Sequence, residues 1–383
     1  MVMDTKAFSS PSGELVTNGK IVAFVPNFLP PTLTYDDELI QLMAEAHSKL
    51  GVLSGMGINL PNPSLLISPY LRREAILSSK IEGTQASLAD LLLYEAKPRR
   101  TDESGSKSVR EVSNHVQALQ ICLSRVRKKK PIDIKMIRDA HRYLLQDVRG
   151  QERGPGSFRT EQNWIGPDSR IEHSRYVPPP MKALPSLLMN FEGFVQHPPD
   201  GMSKLVQCAI MHYQFEAIHP FVDGNGRLGR LLVVLFLCDK GVLTQPLLYL
   251  SAYLDKHKED YNEKMLRVSQ KGEWNQWIAF FMRALATQAD EAIRNVQELL
   301  ALKARYEKRL EKYGASSKAM TIATELFSRP YLTNRIVRTR LAVTAQTAQN
   351  VINQLVDLGI LRQVTQGKRD RIYGAKEILE ILS

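Results

Sequence analysis

The chain has 383 residues, of which 51 are lysine or arginine and 40 are aspartate or glutamate, so its net charge is +11 and its pI is about 9.4. A content of 43% hydrophobic and 24% charged residues is that of an ordinary globular protein. The apolar run Leu231–Cys238 is far shorter than the roughly 20 residues of a membrane span. The basic balance permits an anionic partner, such as a nucleotide or a nucleic acid, without identifying one.

The N-terminus and the cysteines favour a cytoplasmic protein. MVMDTKAFSS has no basic stretch followed by an apolar one, so no secretory signal is predicted. Cys122, Cys208 and Cys238 are odd in number and lie in apolar helical patterns. We therefore expect reduced core cysteines.

Apolar residues recur at helical spacing along most of the chain. Residues 1–35 lack this spacing and are predicted to be irregular, and Arg99–Lys107 is predicted to be a loop. Gly150–Pro180, with four glycines and five prolines, is predicted to be a loop or hairpin with extended segments at Asn163–Ile165 and Arg175–Val177. The predicted helices are Asp36–Leu53, Tyr70–Ala96 with an interruption near Gly83, Val109–Arg125, Ile134–Leu145, Leu184–His197, Lys204–Ala217, Arg227–Lys240, Asp260–Val268 and Trp274 to about Tyr313.

A candidate anion site lies in the segment HPFVDGNGRLGR, at residues 219–230. Gly224, Asn225 and Gly226 precede a helix, and backbone N–H groups at such a place form a concave site for phosphate. Arg227 and Arg230 lie about one turn apart on that helix, so both can face the phosphates.

Two further side chains in this segment suggest chemistry. A carboxylate beside phosphate groups needs a cation between them, and Mg²⁺ suits Asp223 together with phosphate oxygens. His219 has an ordinary pKa near neutrality and can take a proton from an attacking hydroxyl. Each of these residues alone has an ordinary structural interpretation, but nine specified positions in twelve residues favour a functional one.

This segment resembles the Fic motif, HPFx[DE]GNGRxxR, at every defined position, and the resemblance covers about residues 35–300. HYQFEAIHPF, GPGSFR and YVPPP are also similar to segments of Fic proteins. Members of that family commonly transfer AMP from ATP to a hydroxyl side chain of a protein, and the 154–180 segment would then be the flap that holds a target. The resemblance implies His219 as the general base, Asp223 as the Mg²⁺ ligand, Gly224, Asn225 and Gly226 as the anion hole for the α- and β-phosphates, Arg227 as an assisting cation, and Arg230 as the γ-phosphate clamp.

A second segment, LSSKIEGTQA, resembles the family's inhibitory pattern [ST]xxxE[GN] at Ser78, Glu82 and Gly83. A helix that simply ends at Gly83 would also explain it. The resemblance implies that Glu82 pairs with Arg230 and removes the γ-phosphate clamp, while Ser78 fixes the inhibitory helix. Its place before the core indicates the class with an N-terminal inhibitory helix.

The adenine pocket is predicted less sharply. LYLSAYLDKHKEDYNEKM, at residues 248–265, resembles family segments near the base. The candidates are Tyr253, Lys256, His257, Tyr261 and Asn262, with Gln214 from the helix before His219.

The C-terminal region resembles a winged helix-turn-helix. Thr344 is a suitable N-cap, Gly359 a helix stop, and RQVTQGKRDRIYGA reads as two short strands about a Gly-Lys-Arg turn. From Gly314 onward, ten basic and five acidic residues give a net charge of +5. DNA binding and protein interaction both remain open, with Gln346, Thr347, Gln349 and Asn350 on the candidate recognition helix.

We therefore predict a mainly α protein, with a Fic-type helical core, a short β-hairpin flap and a small winged helix-turn-helix domain. The predicted function is an auto-inhibited, cytoplasmic protein adenylyltransferase that uses ATP and Mg²⁺. The alternatives are a DNA-binding regulator whose Fic domain senses nucleotide, and a Fic enzyme that removes AMP or moves another phosphate-containing group. Expected partners are ATP and a target protein at the 154–180 flap, with a homodimer left open and no membrane. The predicted divisions are an N-terminal helical region (1–110), a catalytic core (111–300), a helical linker (301–314) and the winged-helix domain (315–383).

Overall fold

The computed structural model describes residues 3–9, 11–58, 63–96, 107–167, 170–365 and 371–382. The predicted loop at Arg99–Lys107 lies outside these residues except for Lys107, which begins a helix. The predicted Gly-Lys-Arg turn of the C-terminal hairpin lies outside them as well.

Helices build most of the described chain, as the periodicity predicts. The interruption near Gly83 separates two helices, because Gly83 has a φ of +87° and ends the first of them. The helices up to the C-terminal region are α1 (Asp37–Ile58), α2 (Pro63–Ile81), α3 (Leu88–Ala96), α4 (Lys107–Arg127), α5 (Ile134–Leu144), α6 (Leu184–Gln196), α7 (Lys204–Ile218), α8 (Asn225–Asp239), α9 (Ser251–Lys256), α10 (Lys258–Lys271) and α11 (Trp274–Lys312).

The centre of the core is the pair α7 and α8, which pack on each other. Nearly every residue of both helices is buried, so they are apolar all round, as expected for helices enclosed by others. The segment 219–224 connects them. Its position is therefore fixed by two buried helices rather than by a surface loop.

The prediction that residues 1–35 are irregular is wrong. Strands β1 (Gly13–Asn18) and β2 (Ile21–Pro26) form an antiparallel hairpin, with Asn18 opposite Ile21. Gly19 and Lys20 form the two-residue turn, and a glycine at its first position is a signal for such a hairpin because it adopts the positive φ, here +65°, that the turn requires. The hairpin supports the 154–180 segment, since the Phe24 N–H donates to the Val177 carbonyl.

The 154–180 segment has the short β pairing that its sequence predicts. Ile165 and Tyr176 form an antiparallel bridge, with the Ile165 N–H 2.8 Å from the Tyr176 carbonyl oxygen.

The C-terminal region contains four helices and a three-stranded antiparallel sheet of order β3-β5-β4. Ala348, Val351, Ile352 and Leu355 form the buried face that the apolar spacing predicts. Residues 301–312 belong to the 39-residue helix α11, which packs against α1 at one end and against the C-terminal helices at the other. The elements in order are α12 (Ser317–Glu325), β3 (Tyr331–Thr333), α13 (Asn334–Leu341), α14 (Ala345–Asp357), β4 (Arg362–Gln363), β5 (Ile372–Gly374) and α15 (Lys376–Ile381).

The C-terminal region also touches the helix that follows the predicted inhibitory segment. α3 packs on β3, and Leu88 of α3 contacts the small cluster of Tyr331 and Ile372. Across the described residues, no helix is both long and apolar enough to span a bilayer.

Candidate active site

The loop between α7 and α8 is held by its own side chains and backbone. His219 ends α7 in the left-handed conformation, with a φ of +47°, and Gly224 begins α8 with a φ of +81°. The Asn225 side chain accepts from the Phe221 N–H at 3.0 Å and donates to the Phe221 carbonyl at 2.9 Å. The Asn225 amide therefore closes the turn, so residues 224–226 can serve an anion through their backbone N–H groups rather than through the Asn225 side chain.

His219 is poised as a neutral base. Its Nδ1 lies 3.3 Å from the Glu216 carbonyl oxygen, which can only accept, so the proton sits on Nδ1 and Nε2 is left unprotonated. Burial lowers the pKa of His219 to about 4, and the nearby Arg159 charge acts in the same direction. The imidazole is therefore uncharged at neutral pH.

Arg159 ties the 154–180 segment to the loop. Its side chain is buried and donates from Nε to the His219 carbonyl at 2.9 Å and from Nη2 to the Pro179 carbonyl at 2.5 Å. Its own N–H donates to the Pro220 carbonyl. Asn163 adds a bond to the Phe221 carbonyl at 2.9 Å. Arg159 and Asn163 thus bond three consecutive carbonyls of the loop, those of residues 219–221, from the flap side.

Asp223 lies on the open side of the loop, with a side chain 37% exposed. Arg227 Nη2 is 3.5 Å from its Oδ1. Among the described residues no group of three or more acidic, histidine or cysteine side chains is arranged to hold a metal ion. One exposed carboxylate still fits Mg²⁺, since that ion commonly takes one or two carboxylates and completes its shell with phosphate oxygens and water.

His141 of α5 fixes the backbone of Asp223. Its Nε2–H donates to the Asp223 carbonyl at 2.9 Å, and its Nδ1 accepts from the Gly156 N–H at 2.8 Å. The ring stacks on Phe221 with centroids 3.8 Å apart. Burial lowers the pKa of His141 to about 4, so the ring stays neutral and both bonds persist. Sequence reasoning missed this residue, although His141 falls on the apolar face of α5, where a polar side chain needs a partner.

Arg227 is almost fully buried and lies between two carboxylates. Besides Asp223, Glu111 Oε2 lies 3.9 Å from its Nη1. Within the described part of the chain, Arg227 Nε and Nη1 have no hydrogen-bond partner. A buried guanidinium with unmatched donors at the start of α8 is suited to bind an anion.

Arg230 is held by α2. Its Nε donates to Ser78 Oγ at 2.9 Å, and its Nη2 donates to the Ser78 carbonyl at 2.8 Å and to Glu82 Oε1 at 2.7 Å. Glu82 also lies directly over Gly226, where a Cβ would fall 2.2 Å from Glu82 Oε1. The carboxylate thus occupies the space above the first turn of α8, where an anion would bind.

Glu82 is charged in this arrangement. Burial alone would raise the pKa of its carboxyl, but the Arg230 charge and hydrogen bond outweigh burial, and Arg227 and His219 act with Arg230, so the pKa is lowered. The ionised carboxylate of Glu82 therefore contacts Arg230 in the place that phosphate oxygens would otherwise take.

α2 is anchored to the segment 251–258. Glu74 of α2 accepts from the Ser251 N–H and hydroxyl, Lys80 pairs with Asp255 at 2.7 Å, and Lys258 donates to the Ile81 carbonyl at 2.6 Å. These contacts hold the last turns of α2 beside the site.

The adenine candidates fall in different places. Gln214 is buried and donates to the Asn27 carbonyl at 2.9 Å, so it packs against the N-terminal segment. Tyr261 is buried with its hydroxyl on His212 at 2.8 Å. His257 stacks on Tyr253, and Lys256 is exposed at the end of α9. The contacts give Gln214 and Tyr261 structural partners and leave Lys256 and His257 nearer the surface.

Two further buried groups beside Arg230 were missed by sequence reasoning. Burial raises the pKa of Glu216 to about 8, so this carboxyl is largely protonated at neutral pH. Its Oε1 lies so close to Gly229 that a Cβ there would fall 2.2 Å away. Burial lowers the pKa of His115 to about 3, with Arg230 and Arg227 acting in the same direction. Both groups adopt their neutral forms and add no charge to compete for Arg230.

Two family models match this chain. Residues 40–124 match the Fic/DOC family N-terminal model, and residues 131–237 match the Fic/DOC family model. The sequence is 27% identical over 202 residues to the protein adenylyltransferase Fic of Drosophila ananassae, and 26% identical over 201 residues to that of Drosophila willistoni. Each alignment covers 52% of this chain and 37% of the relative, so the chain spans less than two fifths of the length of these relatives.

Solved structures support the fold. A Fic family protein from Desulfovibrio desulfuricans G20 matches with a TM-score of 0.58 and 18% identity, over 91% of this chain and 98% of that one. Fic-1 (residues 134–508) from C. elegans matches with a TM-score of 0.53 and 18% identity, over 68% of this chain and 74% of that one. The prediction of a mainly helical, Fic-type core is confirmed.

Proposed function

The chain carries both domains of the Fic/DOC family, at residues 40–124 and 131–237, and from this premise we propose that it is an auto-inhibited protein adenylyltransferase. It transfers AMP from ATP to a serine, threonine or tyrosine hydroxyl of a target protein. The observation that carries the proposal is the neutral imidazole of His219 beside the anion site at the start of α8. Relatives named protein adenylyltransferase support the same reaction class.

In the proposed reaction the target hydroxyl attacks the α-phosphorus of ATP. His219 Nε2 takes the hydroxyl proton, the new O–P bond forms, and the bond to the departing pyrophosphate breaks. The backbone N–H groups at residues 224–226 and the Arg227 guanidinium stabilise charge on the phosphates. When bound, Mg²⁺ would be held by Asp223 and would neutralise phosphate charge.

Auto-inhibition is proposed from Glu82. While the carboxylate is bonded to Arg230 and lies over Gly226, the γ-phosphate cannot reach Arg230 without displacing it. Two like charges at one guanidinium repel each other, so ATP would bind in a pose that does not react. The 154–180 flap is proposed to hold the target segment, because Arg159 and Asn163 fix it to the backbone of the catalytic loop.

One experiment tests transfer, base and inhibition together. The wild type, Glu82→Gly, and Glu82→Gly combined with His219→Ala would be incubated with Mg²⁺, a lysate and ATP labelled at the α-phosphate. We expect protein-bound label to rise in the single variant and to vanish in the double one. Absence of label in every sample, with ATP binding intact, would reject AMP transfer and favour a nucleotide-sensing regulator or another transferred group. Label that is lost from a pre-labelled target on adding enzyme would instead indicate AMP removal.

The proposal also includes the finer roles predicted for individual residues. Ser78 and Gly83 are proposed to set the inhibitory position of Glu82, and Lys256 and His257 to lie near the adenine. The homodimer and the cytoplasmic location stay predictions.

A further inference from the structure

The C-terminal region has an exposed face that the proposed transferase reaction does not use. α13 and α14 pack on each other, and their buried sides join the main core. The remaining surface of this pair, together with β4 and β5, is what we call the α13–α14 face. Its charge and polarity decide what can bind there.

The charges on the α13–α14 face are predominantly positive. Arg335 and Arg338 of α13 and Arg362 of β4 are exposed, and no ion pair joins any of the three to another described residue. Arg340 is bonded to Glu325, so that acid is already neutralised. Unpaired arginines on a surface with a net charge of +5 over residues 314–383 favour a polyanion.

α14 presents a row of exposed amide side chains. Gln346, Asn350 and Asn353 are exposed and recur at spacings of four and three residues, so they share one side of the helix. Amide side chains at such positions can bond base edges, and the major groove of B-form DNA is wide enough to admit an α-helix. The acid on α14, Asp357, lies one turn beyond Asn353 on the same side of the helix, at the end farther from Gln346, about 16 Å along the axis.

Internal hydrogen bonds fix α14 relative to its neighbours. Asn334, at the start of α13, donates to the Ala345 carbonyl at 3.0 Å and to Gln349 Oε1 at 3.2 Å. Gln349 in turn donates to the Tyr373 hydroxyl of β5 at 3.2 Å. The start of α14 is thus held between the start of α13, which carries Arg335, and the small sheet, whose strand β4 carries Arg362.

We propose that the α13–α14 face is a docking surface for double-stranded DNA. α14 lies in the major groove with its first turns, and Arg335, Arg338 and Arg362 contact phosphates on either side. The phosphate contacts supply affinity, and Gln346, Asn350 and Asn353 supply whatever sequence preference exists. This inference is independent of AMP transfer, because none of these residues belongs to the proposed active site.

The test measures binding of the full-length protein to a fluorescently labelled 24-base-pair duplex of mixed sequence. Fluorescence anisotropy would be recorded from 50 to 200 mM salt for the wild type and for the triple variant Arg335→Gln, Arg338→Gln, Arg362→Gln. We expect the variant to bind at least 10-fold more weakly at 50 mM salt. The slope of log K against log salt should fall by about 3, since each lost phosphate contact removes about one unit.

A matched control removes the same amount of positive charge from the surface outside the C-terminal region. Lys20, Lys128 and Lys130 are exposed and distant in sequence from the α13–α14 face, and the triple change to glutamine lowers the net charge equally. We expect it to leave DNA affinity within about 2-fold. Circular dichroism and adenylyl transfer in the Glu82→Gly background confirm that both triple variants are folded.

Three results would overturn the proposal. One is no duplex binding by the wild type at 50 mM salt. Another is equal weakening by both triple variants, which would indicate general charge attraction. The third is a dimer in solution that the arginine changes dissociate without any DNA binding, which would make the face a protein interface. Because transfer activity is measured separately, failure of DNA binding leaves the proposed enzyme function unaffected.

Discussion

The two sides of the phosphate-binding loop are held in different ways. On the His219 side, His141, Arg159 and Asn225 bond backbone carbonyls and N–H groups of the core, and a ligand has no reason to displace them. On the Arg230 side, the main partner is the carboxylate of Glu82, which directly follows α2 and whose place a phosphate can take. The contacts on the His219 side are therefore permanent, whereas those of Arg230 can be exchanged for a phosphate. The proposed switch at Arg230 would therefore leave the His219 side of the site assembled.

The most damaging change to the permanent side should be Asp223→Asn. In the Glu82→Gly background we expect transfer to fall about 100- to 1,000-fold, because a neutral amide no longer holds a divalent cation against the phosphates. Rates measured over a range of Mg²⁺ concentrations should show a raised requirement for the ion. Asp200→Asn, a change at an exposed loop, serves as the control. Unchanged rates at low Mg²⁺ would remove Asp223 from the metal site.

The exchangeable side is tested more finely by Glu82→Gln. This change keeps the shape of the side chain and removes its charge, so repulsion of the γ-phosphate disappears while α2 stays in place. We expect transfer to rise about 5- to 150-fold, the usual range of a coupling free energy between two sites. Initial rates with labelled ATP measure it, and Glu263→Gln, which breaks a surface ion pair on α10, is the matched control. An unaltered rate would mean that the bulk of Glu82, rather than its charge, excludes phosphate.

His141→Phe tests the structural support that His141 gives to the loop. Phenylalanine keeps the stack on Phe221 but leaves the Gly156 N–H and the Asp223 carbonyl without their partner, which costs about 1–3 kcal/mol for a buried polar group. Urea unfolding should show this loss, and His197→Phe, at an exposed position, should not. A His141→Phe protein of full stability would contradict the assigned role.

The smallest effect is expected from pH. Burial lowers the pKa values of His115 and His212 to about 3, below the ordinary 6.5. The unfolded chain therefore binds more protons between pH 6.5 and 3, and stability present at pH 7 is lost as the pH falls through that window. Each such histidine contributes a slope of about 1.4 kcal/mol per pH unit. Unfolding free energies at pH 7, 6 and 5 should fall less steeply in His115→Leu than in the wild type, and parallel curves would exclude His115 as a contributor.

The contiguous part of the site could be predicted from sequence because its residues lie within twelve positions. The loop, the two arginines and His219 need no tertiary information to be recognised as a group. The link from Arg230 to Ser78 and Glu82 spans about 150 residues and was predicted only through a resemblance to a family pattern. His141 and Glu111 had no such pattern, and their contacts follow from how α4 and α5 pack on α8.

The fold also divides into elements that a local sequence pattern predicts and elements that depend on contacts distant in sequence. Helices α5, α6 and α7 were predicted within one residue at each end, since periodicity reports burial directly, whereas α2 begins seven residues before the predicted start and α9 was not predicted. The N-terminal hairpin was missed because its strands are short and half-buried, although the glycine of its Gly19–Lys20 turn signalled it. Gln214 seemed suited to a nucleotide site, and only the packing of Asn27 against α7 reveals its partner.

The position of α3 has a consequence that reaches across the molecule. This helix begins six residues after Glu82 and rests on β3 of the C-terminal region. A ligand of that region which favours one placement of α3 also biases how firmly the Glu82 carboxylate sits on Arg230. Thermodynamic reciprocity then requires that nucleotide at Arg230 change the affinity of that ligand by the same factor. Through this one short helix, ligand binding at the C-terminal region would be coupled to nucleotide binding at Arg230.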